Sequence, residues 1–164
     1  MTSESRLSGG CGCGAFRYEV RGDPIFVNNC HCTQCQRQTG STSVVNAFFE
    51  AEAIIVTSGE STRHIFRAGS GGDHVIVRCA RCGTAMWSIY PRLGELGRGL
   101  RVGTLDDPNA VQPDAAIFTE EAMSWVTLPK NIPHFSKAYD PAQLLPDHRY
   151  ARLRALIEKR AAQQ

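Results

Sequence analysis

The grouping of the cysteines constrains this chain more than any other feature of its sequence. Seven cysteines fall into two close pairs and one triplet: Cys11 and Cys13, Cys79 and Cys82, and Cys30, Cys32 and Cys35. Structural zinc is held by four protein ligands, whereas catalytic zinc usually keeps three and leaves one position open. We refer to the two pairs together as the four-cysteine cluster and to the triplet as the three-cysteine cluster. The sequence predicts one structural metal and one working metal.

Length, composition and charge indicate the class of protein and the compartment in which it works. Its 164 residues are 42% hydrophobic and 21% charged with a formal net charge of +2, which is typical of a globular domain. No basic and apolar leader is visible at the N-terminus, and the apolar runs are too short to span a bilayer. We therefore expect a cytoplasmic protein with reduced cysteines and with neither a membrane nor a nucleic acid as partner.

The pattern of apolar residues indicates a mainly β protein. Alternation over 16–21, followed by short β-branched and aromatic runs at 44–49, 54–57, 62–67, 74–78, 84–90 and 100–104, predicts a series of strands. Residues 33–39, closed by Gly40, predict a short helix. We expect one domain over 1–164, with a flexible lead-in at 1–9, a zinc-binding β core at 10–136 and an amphipathic C-terminal helix at 146–162. The basic residues of that helix are interpreted as a solvated face.

The two cysteine pairs predict a closed metal site. Cys11 and Cys13 are separated by one residue, so extended backbone would turn both sulfurs to one side. Cys79, Cys82 and the following Gly83 resemble the compact turn of a zinc ribbon. Four soft thiolates suit tetrahedral zinc, and joining the pairs would link the N-terminal strand to the middle of the chain.

The three-cysteine cluster leaves its fourth ligand open. His31 lies between two of these cysteines, but the alternation that aligns Cys30 with Cys32 turns its ring away. A distant histidine could instead close the site, and the candidates are His64, His74 and His134. In that case both metals would be structural, and the protein would be a non-enzymatic zinc module that binds a protein or a nucleic acid.

An open site with three thiolates favours sulfur chemistry over hydrolysis. Three thiolates make a zinc ion electron-rich and therefore a weaker Lewis acid for water than a site with three histidines. Such a site readily accepts another soft anion, so an external thiol would stay ionised below its free pKa of about 8.5. The interpretation is thiol activation toward an electrophile such as an aldehyde. A reversible disulfide within the triplet is a further alternative.

The cysteine motifs resemble those of a known family. The stretches GCGCG at 10–14, NCHCTQCQR at 29–37 and RCARCGT at 78–84 are similar to those of the glutathione-dependent formaldehyde-activating enzymes, a family that includes the centromere protein V type. The downstream stretches 102–108, 117–118 and 124–126 also resemble this family, so that the likeness covers roughly 8–136. An aromatic residue often precedes the second cysteine pair in relatives, where this chain has Val77 and Arg78.

The resemblance implies a fold, a cofactor and a reaction. It implies a tent-like assembly of small twisted antiparallel sheets, with structural zinc on Cys11, Cys13, Cys79 and Cys82 and catalytic zinc on Cys30, Cys32 and Cys35. The second zinc would be the more labile of the two. The implied activity is that of a carbon–sulfur lyase, which joins glutathione or a similar small thiol to formaldehyde or another aldehyde. Arg37 is the candidate partner for a glutathione carboxylate, against its alternative as a solvated helix residue.

Overall fold

The computed structural model describes residues 6–67, 69 and 71–163. These residues form ten strands and three α-helices. The strands are β1 (Arg6–Gly10), β2 (Arg17–Arg21), β3 (Phe26–Cys30), β4 (Val44–Glu50), β5 (Ile54–Ser58), β6 (Ser61–Arg67), β7 (Asp73–Cys79), β8 (Ala85–Ile89), β9 (Gly97–Arg101) and β10 (Ala115–Ile117). The helices are α1 (Thr33–Thr39), α2 (Pro141–Leu144) and α3 (Asp147–Ala161).

A seven-stranded sheet carries the strand that ends at Cys30. Its strand order is β10-β3-β4-β9-β8-β7-β6. Every pair is antiparallel except β10 with β3, which run parallel and set Ile117 opposite Cys30. The chain segment after β10 therefore leaves the sheet beside the three-cysteine cluster.

A three-stranded sheet of order β1-β2-β5 packs against the larger one. The inward side chains of β2 alternate with exposed ones, and Tyr18 and Val20 are completely buried. Trp87 of the large sheet contacts the rings of Phe16 and Tyr18 at centroid distances of 5.7 and 6.1 Å. This apolar layer between the sheets is the main core of the molecule.

Helix α1 begins and ends where the sequence predicts. Cys32 is its N-cap, and its sulfur accepts a hydrogen bond from the backbone N–H of Cys35. Gly40 ends the helix in the left-handed conformation, with φ of 63°, and its N–H donates to the carbonyl of Gln36. The short helix therefore starts inside the three-cysteine cluster.

Helix α3 closes a second apolar cluster. Leu153 and Leu156 are buried against Ile25, Leu93 and Leu145. The expectation that its basic residues form a solvated face is wrong for two of them, because Arg149 and Arg152 pair with carboxylates of the core region. Among the described residues no helix is both long enough and apolar enough to cross a membrane.

The predicted mainly β fold class is confirmed, with two corrections of detail. Residues 6–9 belong to strand β1 rather than to a flexible lead-in, because their backbone pairs with β2; residues 1–5 lie outside the described part of the chain. The parallel pairing of β10 also departs from the purely antiparallel expectation. The extent of the domain and of its zinc-binding core stays a prediction.

Candidate metal centres and pocket

The structure brings the four-cysteine cluster together from two distant turns. Cys11 and Cys13 lie in the turn between β1 and β2, whereas Cys79 ends β7 and Cys82 lies in the turn before β8. Their four sulfur atoms all lie within 4.8 Å of one another. The first pair therefore converges through a turn and not through extended backbone. This cluster can hold a metal ion, and its donor set fits a closed tetrahedral site.

Backbone geometry and hydrogen bonds shape this cluster. Gly83 has φ of 74°, which allows the tight turn after Cys82. The hydroxyl of Thr84 lies 3.1 Å from the Cys82 sulfur and accepts a hydrogen bond of 3.2 Å from the N–H of Gly12. Hydrogen bonding from Thr84 lowers the pKa of Cys82 to about 5. Cys82 is thus prepared to act as a thiolate.

The three-cysteine cluster lies at the junction of β3 and α1. Cys30 is the last residue of β3, Cys32 is the N-cap of α1 and Cys35 occupies its first turn. The three sulfur atoms lie within 4.8 Å of one another, and Cys30 and Cys35 are buried while Cys32 is half-buried. This cluster also can hold a metal ion, and its three cysteines lie within six residues of sequence.

Because the three thiols lie close together, their pKa values differ. Hydrogen bonds from Cys30 and then Cys35 lower the pKa of Cys32 to about 2. The pKa of Cys30 is raised, first because its thiol is the donor toward Cys32. The first negative charge of the cluster therefore resides on Cys32, at the N-terminal end of α1.

The histidines considered as a fourth ligand do not join the cluster. Among the described residues, no histidine, acidic side chain or further cysteine lies within 4.8 Å of all three sulfurs. His31 is buried, and burial lowers its pKa. His64 is exposed on β6, and His134 bonds the Pro129 carbonyl. His74 lines the same pocket as the three sulfurs but does not join their cluster.

A pocket of about 1000 Å³ opens above the three-cysteine cluster. Helix α1 contributes one part of its lining, and the segment after β10 contributes another. Aromatic residues of β4, of β6 and just after β8 form an aromatic wall. The lining includes Cys30, Cys32, Cys35, Gln38, Asn46, Phe48, Phe66, His74, Tyr90, Ile117, Phe118 and Glu121. The predicted substrate residue Arg37 also lines this pocket and is exposed.

Sequence reasoning missed the aromatic wall. His74 is 1% exposed and is packed between Phe66 and Tyr90, with ring centroids 4.6 and 4.2 Å away. Neither nitrogen of His74 has a hydrogen-bond partner among the described residues, and burial lowers the pKa of this histidine to about 4. The ring is therefore neutral at pH 7. These residues come from strands far from the triplet in sequence, and no spacing signal joins them.

The segment after β10 forms a strained edge of the pocket. Phe118 has φ of 54°, which makes it the one residue other than glycine with positive φ in the described part of the chain. Such a conformation is costly for a bulky side chain and persists when its surroundings impose it. Here Glu121 accepts hydrogen bonds from the N–H and hydroxyl of Thr33, at 2.7 and 2.6 Å. The segment is thereby tied to the start of α1.

Comparison with known proteins places the chain in a family. The model of the family described as glutathione-dependent formaldehyde-activating enzyme matches residues 6–121. A curated Halomonas elongata protein, provisionally named a glutathione-dependent formaldehyde-activating enzyme, is 33% identical over 98 residues, which is 55% of this chain and 60% of that protein. The match thus spans less than two thirds of the relative. A crystal structure of a Rhodobacter sphaeroides protein aligns with 77% of this chain and 98% of that one, at 18% identity and a TM-score of 0.46.

The matched region includes all seven cysteines and every strand and helix that positions them. The resemblance seen in the cysteine motifs is therefore confirmed. The chain belongs to the glutathione-dependent formaldehyde-activating enzyme family.

Proposed function

We propose that this protein is a zinc-dependent carbon–sulfur lyase that joins a small thiol, such as glutathione, to an aldehyde such as formaldehyde. One observation carries the proposal: three cysteine sulfurs converge in the lining of a pocket of about 1000 Å³, and no fourth protein ligand lies with them among the described residues. An open metal position that faces a substrate-sized pocket is the arrangement of a catalytic site.

Cys30, Cys32 and Cys35 would hold the catalytic zinc, and Cys11, Cys13, Cys79 and Cys82 would hold a structural one. When bound, zinc at the three-cysteine cluster would keep an incoming thiol ionised at neutral pH. The low pKa of Cys32 and the burial of its two neighbours fit a cluster that binds a soft cation. All seven cysteines are free, which agrees with a reducing compartment and supports a cytoplasmic location as part of the proposal.

The proposed reaction makes one carbon–sulfur bond. The thiolate sulfur donates an electron pair to the carbonyl carbon, the C=O π pair moves to oxygen, and that oxygen takes up the proton given off by the thiol. The pocket would orient the two reactants, since the side chains of Phe48, Phe66 and Tyr90 give it an apolar lining. Arg37, exposed at the same pocket, is proposed to pair with a carboxylate of glutathione.

The test uses zinc-replete protein with glutathione and formaldehyde. We expect glutathione to bind, as measured by calorimetry, and the formation of S-hydroxymethylglutathione to be faster than the uncatalysed reaction. In the matched variant Cys32→Ser, both effects should be lost while the fold and the zinc of the four-cysteine cluster remain.

Two results would reject the proposal. One is zinc-replete protein that neither binds the thiol nor changes the rate. The other is a second zinc that X-ray absorption shows to have four protein ligands and an unchanged ligand shell when thiol is added, since that describes a non-enzymatic module with two structural metals.

A further inference from the structure

A buried arginine lies beside two residues that line the pocket of the three-cysteine cluster. Arg101, at the end of β9, is 4% exposed. Its guanidinium donates to the side-chain oxygens of Asn46, Gln38 at 3.1 Å and Ser88 at 2.8 Å, and its Nε has no partner among the described residues. All three acceptors are neutral. Burying a cation that no anion compensates is unfavourable, so its charge requires an explanation.

Other arginines of this protein follow the usual rule. Arg149 and Arg152 are only partly buried, and each one forms a salt bridge with a carboxylate. Arg98, three residues before Arg101 on the same strand, pairs with Glu95. Within the described chain Arg101 has no such salt bridge, although it is the most deeply buried of the four.

The position of Arg101 points to the missing anion. Gln38 and Asn46, which hold the guanidinium, line the same pocket as the three-cysteine cluster. Gln38 follows Cys35 by three residues on α1, so both lie on one face of that helix. The hydrogen bond from Arg101 to Gln38 thus connects the guanidinium to the helix face that carries Cys35. Of the thiol and carboxyl groups that line this pocket, Cys30 and Cys35 are buried as Arg101 is, whereas Glu121 is exposed. The buried thiols are therefore the groups whose negative charge Arg101 would compensate.

We infer that Arg101 is the counter-charge of the three-cysteine metal site. This inference rests on the proposed function, because it takes the triplet to hold a divalent cation. Three thiolates and one divalent cation carry a net charge of minus one, which becomes minus two when a substrate thiolate joins them. A fixed cation in a region of low dielectric stabilises that anion without entering the coordination shell. Arg101 is thus a positioning residue for the metal and for an anionic fourth ligand.

Asn46→Asp is the decisive variant. It replaces an amide by a carboxylate of nearly the same shape, so the hydrogen bond to Arg101 persists while the positive charge is neutralised in place. If Arg101 only ties β4, β8 and α1 together through hydrogen bonds, this variant should bind metal like the wild type. If its charge matters, the variant should resemble one that lacks the charge.

The experiment compares the wild type with Asn46→Asp, Arg101→Gln, Arg101→Lys and the control Arg98→Gln. Each protein, with zinc already bound at its four-cysteine cluster, is titrated with zinc in competition with a chelator to measure the zinc affinity of the triplet. In a second experiment cobalt occupies the triplet, and the binding of neutral 2-mercaptoethanol is followed by the change in cobalt absorption. We expect Asn46→Asp and Arg101→Gln to lower the affinity of the triplet for zinc by about 10- to 100-fold and to weaken binding of the thiol. Arg101→Lys should stay close to the wild type, and Arg98→Gln should match it.

Several outcomes would overturn the inference. Folded Asn46→Asp protein with wild-type affinity for zinc and thiol would show that the charge is irrelevant, even if Arg101→Gln fails to fold. Loss of affinity in Arg98→Gln to the same degree would show a general effect of surface charge. If the wild type takes up no second metal, the proposed function fails together with the role of Arg101; if it does and the variants do not differ, only the role of Arg101 fails.

Discussion

At the scale of single residues, Thr84 joins the two halves of the four-cysteine cluster without being a ligand. Its hydroxyl lies 3.1 Å from the sulfur of Cys82 and accepts from the N–H of Gly12, which lies between the cysteines of the other pair. Groups that bond a ligand sulfur orient it and stabilise its charge. The motif RCARCGT contains this threonine, but its role depends on the approach of residues 12 and 84 and is not visible in sequence.

Thr84→Val should therefore weaken zinc binding at the four-cysteine cluster. We expect an affinity about 10-fold lower, because the isosteric valine removes the hydrogen bond to Cys82 and leaves the N–H of Gly12 without its acceptor. Thr84→Ser keeps the hydroxyl and should bind zinc like the wild type. Competition with a chelator measures both affinities. Equal affinities for the valine and serine variants would contradict this role.

At the scale of elements, helix α3 is attached by charge as well as by apolar packing. Arg149 donates from both terminal nitrogens to Asp114, at 2.9 and 2.5 Å, and from Nε to the carbonyl of Ile25 at 2.7 Å. Asp114 in turn accepts from the N–H of Val27 at 2.7 Å. Both partners of the ion pair are only about one fifth exposed. The helix is thereby fixed to the start of β3, the strand that ends at Cys30.

Arg149→Met should destabilise the fold more than the same change elsewhere on the helix. We expect the free energy of unfolding to fall by about 2 kcal/mol, because partly buried Asp114 loses its charged partner. The matched control is Arg154→Met, whose pair with Glu158 is exposed, and its effect should stay below about 0.5 kcal/mol. Denaturant unfolding of zinc-saturated protein gives both values. Similar losses of unfolding free energy in the two variants would show that the partly buried ion pair stabilises the fold no more than the exposed one.

Some secondary-structure elements could be predicted from the sequence and others could not. Period-two alternation predicted β2, and short β-branched and aromatic runs predicted strands that overlap β4 to β9, because both patterns are local in sequence. The strand predicted at 100–104 is displaced, since β9 is Gly97–Arg101 and Val102–Thr104 form a short 3-10 helix. Strands β1 and β10 were not predicted, since RLSGG and AAI have no alternation and become strands only by pairing with β2 and β3. The paired arginines of α3 looked like a solvated face because their carboxylate partners, Glu50 and Asp114, are distant in sequence.

The candidate site also has a part that the sequence predicts and a part that it does not. Both cysteine clusters were predicted because their cysteines lie at short spacing within each motif, and the structure brings each set together. The rest of the pocket lining was not predicted, because Phe66 and His74 reach it from β6 and β7 and Tyr90 follows the end of β8. What the sequence alone could not supply is the environment of the triplet, including the buried charge behind it.

At the scale of the whole molecule, the two clusters occupy different places in the topology. The four-cysteine cluster joins the β1–β2 turn of the small sheet to the β7–β8 turn of the large one. The three-cysteine cluster is confined to the junction of β3 and α1 within the large sheet. A link between distant segments restricts the unfolded chain far more than a link within six residues. Metal at the first cluster should therefore support the fold, and metal at the second should not.

Cys82→Ser and Cys32→Ser test this division with the same chemical change at positions that are not fully buried. Each variant should lose one zinc ion, measured by elemental analysis. Because Cys82→Ser removes the link between the sheets, its melting temperature should fall by more than about 10 °C; Cys32→Ser should lower it by less than about 3 °C. Circular dichroism of each protein with its remaining zinc gives the two values. Equal falls would mean that the three-cysteine site supports the fold, and a metal with that role would be a poor candidate for one that exchanges a substrate.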